Sequence, residues 1–303
     1  MRALLTGGSG FVGFHLTHRL LLEGHAVRHL ASGPAGCPGV DRIIVDLADL
    51  STLSRAVEEF RPDVIYHLAC TPFNPTGTPA EEHLRVNALG TLSLLEAARH
   101  TPRARFIYTG SAAEYGSGSG LQEYTPLRPA TLLGAAKACA STLVETYARL
   151  YGTEAVILRL FTPYGPGDHR SRLIPHVISS ALEGRPVRLT SGHQQRDFFY
   201  ITDLIEAMII AATAPLAFPT AINLCSGTGR SVLEVARTVL RLMNSTVPIE
   251  IGALPTRPDE ILECSGDNAR AHHWLGWQPK TSLEQGLSST IRWYQENPEW
   301  SKH

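Results

Sequence analysis

The chain has few lysines and few cysteines for its length of 303 residues. Only three of its 27 basic residues are lysines (Lys137, Lys280 and Lys302), and its five cysteines are scattered without a Cys-x-x-Cys pair. An odd, dispersed set of thiols indicates reduced cysteines rather than a disulfide framework, and no spacing predicts a metal site. Because lysine is rare here, the single lysine in mid-chain, Lys137, calls for an explanation.

The chain also lacks strong charge of either sign and lacks long apolar runs. Its formal net charge is −1 and no basic cluster occurs, so neither nucleic acid nor an anionic membrane is an expected partner. No apolar run approaches the roughly 20 residues of a membrane span. No apolar leader precedes the first predicted strand, which begins at residue 2. The sequence therefore predicts a cytoplasmic protein.

The N-terminal segment predicts a strand, a glycine turn and a helix in immediate succession. Ala3–Leu5 form an apolar run, and apolar residues recur at helical spacing after the turn. Two spacings overlap in between, Gly8-x-Gly10-x-x-Gly13 and Gly7-x-x-Gly10-x-x-Gly13. A dinucleotide pyrophosphate needs such a sharp turn, an unobstructed backbone and the free N–H groups of a helix N-terminus. The segment predicts dinucleotide binding, the alternative being a tight turn that holds no ligand.

The end of the second predicted strand, His25–Ala31, bears on the choice of cofactor. An acidic residue there commonly bonds the adenosine ribose of NAD. Here the position falls near Ser32, and no carboxylate occurs between Glu23 and Asp41. An NADP 2′-phosphate would meet no repulsion, so NADP is favoured over NAD. No arginine follows the strand to hold that phosphate, since Arg28 lies within the strand.

Two further predicted strands end in residues that could line a cofactor. Asp46 follows the third strand, where it could accept a hydrogen bond from an adenine amino group or could cap the predicted helix Asp49–Phe60. Ala69 follows the strand Asp63–Leu68, and a small residue at that end leaves room for a cofactor. His67 is expected to be a packed, locally hydrogen-bonded residue rather than a catalyst.

Strands and helices alternate up to about residue 160, which is typical of α/β proteins with a doubly wound parallel sheet. Residues 1–165 are predicted to form a Rossmann-type dinucleotide-binding domain. Residues 166–303 are predicted to form a smaller C-terminal α/β substrate lobe, with some segments returning to the sheet. The Pro/Gly-rich turn Thr162–Gly167 is the expected point of exit from the first domain.

Several segments, in their order and spacing, resemble the extended short-chain dehydrogenase/reductases, specifically the NAD-dependent nucleotide-sugar epimerase, dehydratase and ketoreductase group. The resemblance covers nearly the whole chain. The segments that carry it are Thr6–Gly13 (TGGSGFVG), His67–Ala69 (HLA), Asn87 with Gly90, Arg159–Gly167 (RLFTPYGPG), Arg196–Asp203 (RDFFYITD) and Leu275–Pro279 (LGWQP).

The resemblance implies an NAD(P) cofactor with a nucleotide-diphosphate sugar beside it. Arg196 and Arg257 match positions expected to hold the phosphates, although either could be a plain surface charge, and Thr162 stands at a substrate position where asparagine is frequent. A homodimer is implied through two long predicted helices, Glu81–Arg99 and Thr131–Tyr151. The residues assigned to the cofactor are Gly7, Gly10, Phe11, Val12, Gly13, Ser32, Asp46, Leu47, Leu68, Ala69 and Lys137.

One position departs from the active site that the family uses. In the family a Ser/Thr and a Tyr-x-x-x-Lys act together: the lysine holds the nicotinamide ribose and lowers the pKa of the tyrosine, which moves a proton while hydride moves. Ser111 and Lys137 match this pattern, but Leu133 stands at the tyrosine position, in an alignment fixed by Pro126–Pro129. Leucine carries no proton, so the usual proton-transfer group is missing.

The sequence leaves open what replaces that tyrosine. Tyr164 and Glu114 are candidate proton-transfer groups, and each has a purely structural role as its alternative. Tyr115, His169 and His193 lie in neighbouring segments with the same alternative. A sugar hydroxyl or an ordered water is a further candidate.

The residues around the candidate serine limit the reactions that the family resemblance allows. Ala112 and Ala113 replace the Asp–Glu pair of the family's sugar 4,6-dehydratases, and Ala113 also replaces the cysteine of members that epimerise next to a ketone. The segment Gly110–Gly116 resembles 4-ketoreductases and some 4-epimerases. Two functions follow: an epimerase or 4-ketoreductase with a non-standard proton-transfer group, or a catalytically degenerate protein that binds the cofactor or sugar nucleotide as a regulator or partner subunit.

Overall fold

A computed structural model of the chain describes residues 1–34, 36–71, 77–99, 101 and 104–301. The strands in these ranges are β1 (Arg2–Thr6), β2 (Ala26–Ala31), β3 (Asp41–Ile44), β4 (Val64–His67), β5 (Arg105–Ser111), β6 (Gly118–Leu121), β7 (Ala155–Leu160), β8 (Thr162–Tyr164), β9 (Val187–Arg188), β10 (Gln195–Tyr200), β11 (Thr220–Leu224), β12 (Gly229–Ser231), β13 (Ile249–Glu250) and β14 (Glu263–Gly266). The helices are α1 (Phe11–Leu22), α2 (Leu50–Phe60), α3 (Ala80–His83), α4 (Gly90–Ala98), α5 (Leu132–Tyr151), α6 (Leu173–Leu182), α7 (Ile201–Thr213), α8 (Val232–Leu242), α9 (Ala269–Leu275) and α10 (Leu283–Glu296), with a π-helical segment at Leu84–Leu89 and 3₁₀ turns at Ala112–Glu114 and Pro298–Ser301.

A seven-stranded sheet, entirely parallel, forms the centre of the fold in the order β11-β7-β5-β4-β1-β2-β3. The four residues of β4 are all buried, as expected for a strand covered by helices on both faces. From β1 the chain winds outward through β2 and β3 on one side and through β4, β5 and β7 on the other. This doubly wound order confirms the predicted Rossmann-type α/β class and places the switch point between β1 and β4.

A second sheet has the order β12-β10-β14-β6, and β8 pairs with β10. Its strands come from both sides of residue 165, because β6 precedes that residue while β10, β12 and β14 follow it. Conversely, β11 follows residue 165 and completes the large sheet. Among the described residues, no helix has both the length and the apolar character that crossing a membrane requires.

The segment predicted as one regular helix over Glu81–Arg99 is not regular, because the π-helical segment separates α3 from α4. The Asn87 side-chain amide donates to the His83 carbonyl at 3.0 Å and to the Thr71 hydroxyl at 3.1 Å. Such side-chain bonds compete with the regular backbone ladder and accompany a widened turn. The sequence pattern gave the helical character correctly but not this interruption.

His67 is a packed residue at the end of β4, in keeping with the role expected for it. Its ring is fully buried, with Nδ1 2.7 Å from the Thr6 hydroxyl and Nε2 2.8 Å from the Thr91 hydroxyl. Burial lowers the pKa of His67 to about 3. The neutral ring therefore ties β1, β4 and α4 together directly beneath the edge of the sheet where the strands end.

The buried His67 makes stability depend on pH. The folded chain keeps His67 neutral down to about pH 3, whereas the ordinary pKa is 6.5, so the unfolded chain binds more protons between these values. We expect the free energy of unfolding to fall as pH drops through this window, with a contribution of up to about 1.4 kcal/mol per pH unit. Urea unfolding between pH 7 and pH 4 measures how the free energy of unfolding changes with pH. This change per pH unit should be smaller for His67→Gln than for the wild type, and equal changes would contradict the assignment.

Candidate cofactor and substrate site

The glycine turn lies between β1 and α1, at the switch point of the large sheet. Gly7 has φ +68°, and a Cβ at this position would lie 2.7 Å from the Ala69 nitrogen. A Cβ on Gly13 would overlap the Gly7 carbonyl and would lie 2.7 Å from the Gly8 Cα. The glycines therefore let α1 and the end of β4 approach the turn more closely than any side chain permits.

The N-terminus of α1 offers the donors that an anion requires. Gly10 is its N-cap and supplies no side-chain bond. The N–H groups of Phe11, Val12 and Gly13 belong to the first helical turn, which has no partners within the helix. Unsatisfied donors and the positive end of the helix dipole fit a pyrophosphate.

The edge predicted for the adenosine lies at the ends of β2 and β3. Ser32 is exposed directly after β2. The Asp46 carboxylate accepts from the Ala48 N–H at 2.9 Å and pairs with Arg85 at 2.9 Å, while Asp49 caps α2. Leu47 packs against Gly90 at the start of α4, where a Cβ on the glycine would lie 3.0 Å from the Leu47 side chain. The starts of α2 and α4 therefore lie beside the ends of β2 and β3, on the side of the site predicted for the adenosine.

Ser111 and Lys137 come from β5 and α5, which pack against each other. The Ser111 hydroxyl accepts from the Ala113 N–H at 3.1 Å. The nearly buried Lys137 ammonium donates to the Thr109 carbonyl at 2.8 Å, also on β5. Leu133 lies one helical turn before Lys137 on the same face and is half-buried. The serine, the lysine and the leucine are thus held together at the carboxyl end of β5.

Glu114 is fully buried and bonded by three donors. Its carboxylate accepts from the Ser111 N–H at 2.7 Å, the Ser141 hydroxyl at 2.7 Å and the Arg159 Nε at 3.1 Å. Burial raises the pKa of Glu114, and the Arg159 charge opposes that rise. Both oxygens of this carboxylate are bonded by donors inside the protein, which is typical of a structural anchor, so Glu114 is reassigned from candidate base to that role.

Tyr164 is likewise engaged in packing. It is 2 % exposed, its hydroxyl donates to the Leu283 carbonyl at 3.1 Å, and its ring fills the space above Gly286 of α10. Burial raises its pKa far above the ordinary range. The candidate role of Tyr164 in proton transfer is corrected accordingly: the residue joins β8 to α10. The buried Tyr115 is also committed, since its hydroxyl donates to the Asn223 side chain at 2.7 Å.

The two predicted phosphate-binding arginines share one carboxylate. Arg196 Nη2 lies 2.8 Å from Glu260 Oε1, and Arg257 Nε lies 3.5 Å from Glu260 Oε2. Thr162 is on β8, which pairs with the strand that carries Arg196. The structure therefore brings both guanidinium groups into one cluster on the second sheet, and Glu260 is the member that the sequence analysis missed.

Asp197, the residue after Arg196, fixes this part of the second sheet. Its buried carboxylate accepts from the Ser226 N–H and hydroxyl at 2.6 Å each, from the Gly227 N–H at 3.0 Å and from the Gly266 N–H at 3.2 Å. Because these donors come from separate segments of the chain, the carboxylate holds β10 and β14 in place and with them Arg196. In the described part of the chain, no three His, Cys, Asp or Glu side chains cluster in a way that could hold a metal ion.

Comparison with known proteins agrees with this architecture. The model of the NAD dependent epimerase/dehydratase family matches residues 3–225, and the chain belongs to this family. It is 31% identical over 318 residues to a dTDP-glucose 4,6-dehydratase of Mycolicibacterium smegmatis, covering 99% of the chain and 95% of the relative.

Two further relatives extend the comparison to epimerases. A UDP-glucose 4-epimerase of Mycolicibacterium smegmatis is 29% identical, with 97% of the chain and 98% of the relative covered. The solved structure of a Thermus thermophilus UDP-glucose 4-epimerase complexed with NAD has a TM-score of 0.88 and 28% identity, covering 97% of this chain and 99% of that one. The family thus contains both dehydratases and epimerases that resemble this chain along nearly its whole length.

Proposed function

We propose that the chain is an NAD(P)-dependent enzyme that epimerises or reduces a nucleotide-diphosphate sugar. The observation that carries this proposal is the joint placement of Ser111 and Lys137 at the carboxyl end of β5, in the sheet that also presents the open glycine turn. Arg196 and Arg257 on the second sheet are guanidinium groups of the kind that bind a diphosphate, and phosphate oxygens would replace their present partners, Glu260 for both and also Asp259 for Arg257.

The roles of this chain's residues follow from their positions. When bound, the dinucleotide supplies hydride exchange with the sugar. The N-terminal turn of α1 binds its pyrophosphate, and Lys137 bonds the nicotinamide ribose. Ser111 polarises the reacting sugar oxygen through its hydroxyl. Thr162 contacts the substrate from β8.

Proton transfer is the step for which this chain lacks the tyrosine that the family uses. Leu133 cannot exchange a proton, and Glu114 and Tyr164 are committed to internal bonds. We therefore assign proton transfer to a hydroxyl of the sugar or to an ordered water, with the Ser111 hydroxyl held at the end of β5. Of the two cofactors, NADP is favoured because no carboxylate follows β2. The dispersed thiols fit the reducing cytoplasm.

The second candidate function is a protein that binds the cofactor or sugar nucleotide without turning it over, as a regulator or partner subunit. Leu133 is the observation that favours it, since loss of a general acid/base costs about 10²- to 10⁴-fold in rate. Under this alternative the glycine turn and the arginine cluster keep their binding roles, and only the chemistry is lost.

Incubation of the purified chain with reduced and oxidised cofactors and a panel of nucleotide sugars separates the two functions. The enzyme should change the absorbance of the cofactor or convert one sugar into its epimer, detected by chromatography. Tight binding of cofactor and sugar with no conversion of any sugar in the panel would establish the non-catalytic alternative. Absence of binding to either would contradict both.

A homodimer is the expected assembly. Leu84 and Leu89 of the π-helical segment are 50% and 55% exposed, and Leu132 at the start of α5 is 58% exposed. Exposed leucines on two neighbouring long helices fit a shared four-helix interface. Sedimentation should give a dimer for the wild type and a monomer for Leu89→Arg, whereas Leu22→Arg on α1, equally apolar and 72% exposed, should stay dimeric. A monomeric wild type would contradict this assembly.

A further inference from the structure

Arg42 on β3 is an arginine whose charge is not paired in the described part of the chain. Its guanidinium lies against the loop that follows β2, with Nη1 2.9 Å from where a Cβ on Gly36 would stand. The neighbouring Arg28 differs, because it pairs with Asp41 at 2.6 Å and stacks on Phe60 of α2. Arg28 is therefore committed to the structure, and Arg42 is available.

The side chain of Arg42 leaves the sheet on the same face as the glycine turn. In the register of β2 with β3, Arg42 is the partner of His29, and paired residues of parallel strands project from one face. The His29 ring is bonded to the Thr17 hydroxyl of α1 at 2.8 Å and occupies the space that a Cβ on Gly8 would need. Arg42 is thus next to the ring that directly supports the glycine turn.

The loop after β2 contacts the glycine turn. The Cys37 thiol lies 3.8 Å from the Gly8 carbonyl, so this part of the loop folds back onto the turn. The exposed Ser32 hydroxyl stands at the exit of β2, and no carboxylate occurs between Glu23 and Asp41. The loop that follows β2 therefore has a hydroxyl at its start and an unpaired guanidinium against it, without an acidic side chain.

In dinucleotide-binding sheets this end of β2 receives the adenosine ribose, where an acidic side chain bonds the free hydroxyls and an arginine accommodates a 2′-phosphate. We propose that Arg42 is the cation of a 2′-phosphate subsite and makes the chain prefer NADP(H) to NAD(H). The proposal rests on the proposed binding of a dinucleotide at the glycine turn. A guanidinium suits the ligand because its fixed fork of N–H donors matches two phosphate oxygens. The sequence places no arginine after β2, and the sheet supplies one from β3.

The affinities of NADPH and NADH for the full-length chain test the subsite without any sugar substrate. Fluorescence titration of the wild type should give a Kd about 10- to 100-fold lower for NADPH. Arg42→Met should remove that difference by raising the Kd for NADPH alone, and its Kd for NADH should stay within about twofold of the wild-type value. Arg28→Met, a basic residue of the adjacent strand that lies on the opposite face, is the matched control and should keep the preference.

A competition experiment isolates the phosphate from the rest of the cofactor. In the wild type, adenosine 2′,5′-bisphosphate should displace the bound reduced cofactor at a lower concentration than ADP does. In Arg42→Met the two competitors should act at similar concentrations. Equal affinity of the wild type for NADPH and NADH would overturn the subsite and leave the proposed function intact. An equal loss of both affinities in Arg42→Met would also overturn it, and a wild type that binds neither cofactor would overturn the subsite and the proposed function together.

Discussion

Replacing Leu133 by tyrosine is expected to raise the turnover of a nucleotide sugar by about 10²-fold or more over the wild type. The half-buried position lies one helical turn before Lys137, so the new hydroxyl would share a face with the ammonium that lowers its pKa. Ser111 already stands on the adjoining strand end. The variant would therefore restore the one group of the expected set that is missing.

Controls separate the hydroxyl from the mere size of the side chain. Leu133→Phe fills the same volume without a proton and should stay at the wild-type rate, and Leu133→Tyr with Lys137→Met should lose the gain because the tyrosine pKa returns toward its ordinary value. Initial rates of cofactor absorbance change measure a reductase, and initial rates of epimer formation followed by chromatography measure an epimerase. If Leu133→Tyr binds cofactor and sugar normally yet gains nothing, the substrate pocket has diverged along with the proton donor.

Glu114→Gln is expected to lower the free energy of unfolding by about 3–5 kcal/mol. The carboxylate pairs with the buried Arg159, which is 3 % exposed, and removing the negative charge would leave that guanidinium uncompensated. An amide also turns an NH₂ group toward one of the donors from Ser111 or Ser141, so at least one buried donor loses its acceptor. Chemical denaturation followed by circular dichroism measures the loss.

Two companion variants make this expectation specific. Glu154→Gln removes the same charge from an exposed ion pair with Arg105 and should cost no more than about 1 kcal/mol. The double variant Glu114→Gln with Arg159→Met should cost less than the sum of the two single changes, because no charge is then left unpaired. Similar losses for Glu114→Gln and Glu154→Gln would show that Glu114 does not anchor the interior.

The large sheet could be predicted because its strands carry a strong local signal. Strands buried on both faces appear as short apolar runs, and the helices between them have regular apolar periodicity. The second sheet could not be found in this way. Its strand β6 is the short run Gly118–Leu121, which lacks an apolar pattern, and β14 is Glu263–Gly266. Each becomes a strand only through pairing with a remote segment.

In the candidate site, too, some features follow from sequence spacing and others depend on contacts between remote residues. Sequence patterns predict the glycine turn, Ser111, Lys137 and the leucine at the tyrosine position, because each depends on a position in the chain. Whether a polar side chain is available for chemistry depends on its neighbours, so the sequence left both a base and a structural role open for Glu114, and its three donors in the fold favour the structural role.

By itself the sequence determined the α/β class and the family resemblance, and it predicts that leucine stands at the family's tyrosine position, since each depends on residue identity at fixed spacing. Only the tertiary structure decided which groups are committed and which are available. It joined Arg196 and Arg257 through Glu260, and it placed the guanidinium of Arg42 against the loop that follows β2. Local spacing does not reveal such contacts, because Arg196 lies 64 residues from Glu260 and meets it only when the chain has folded.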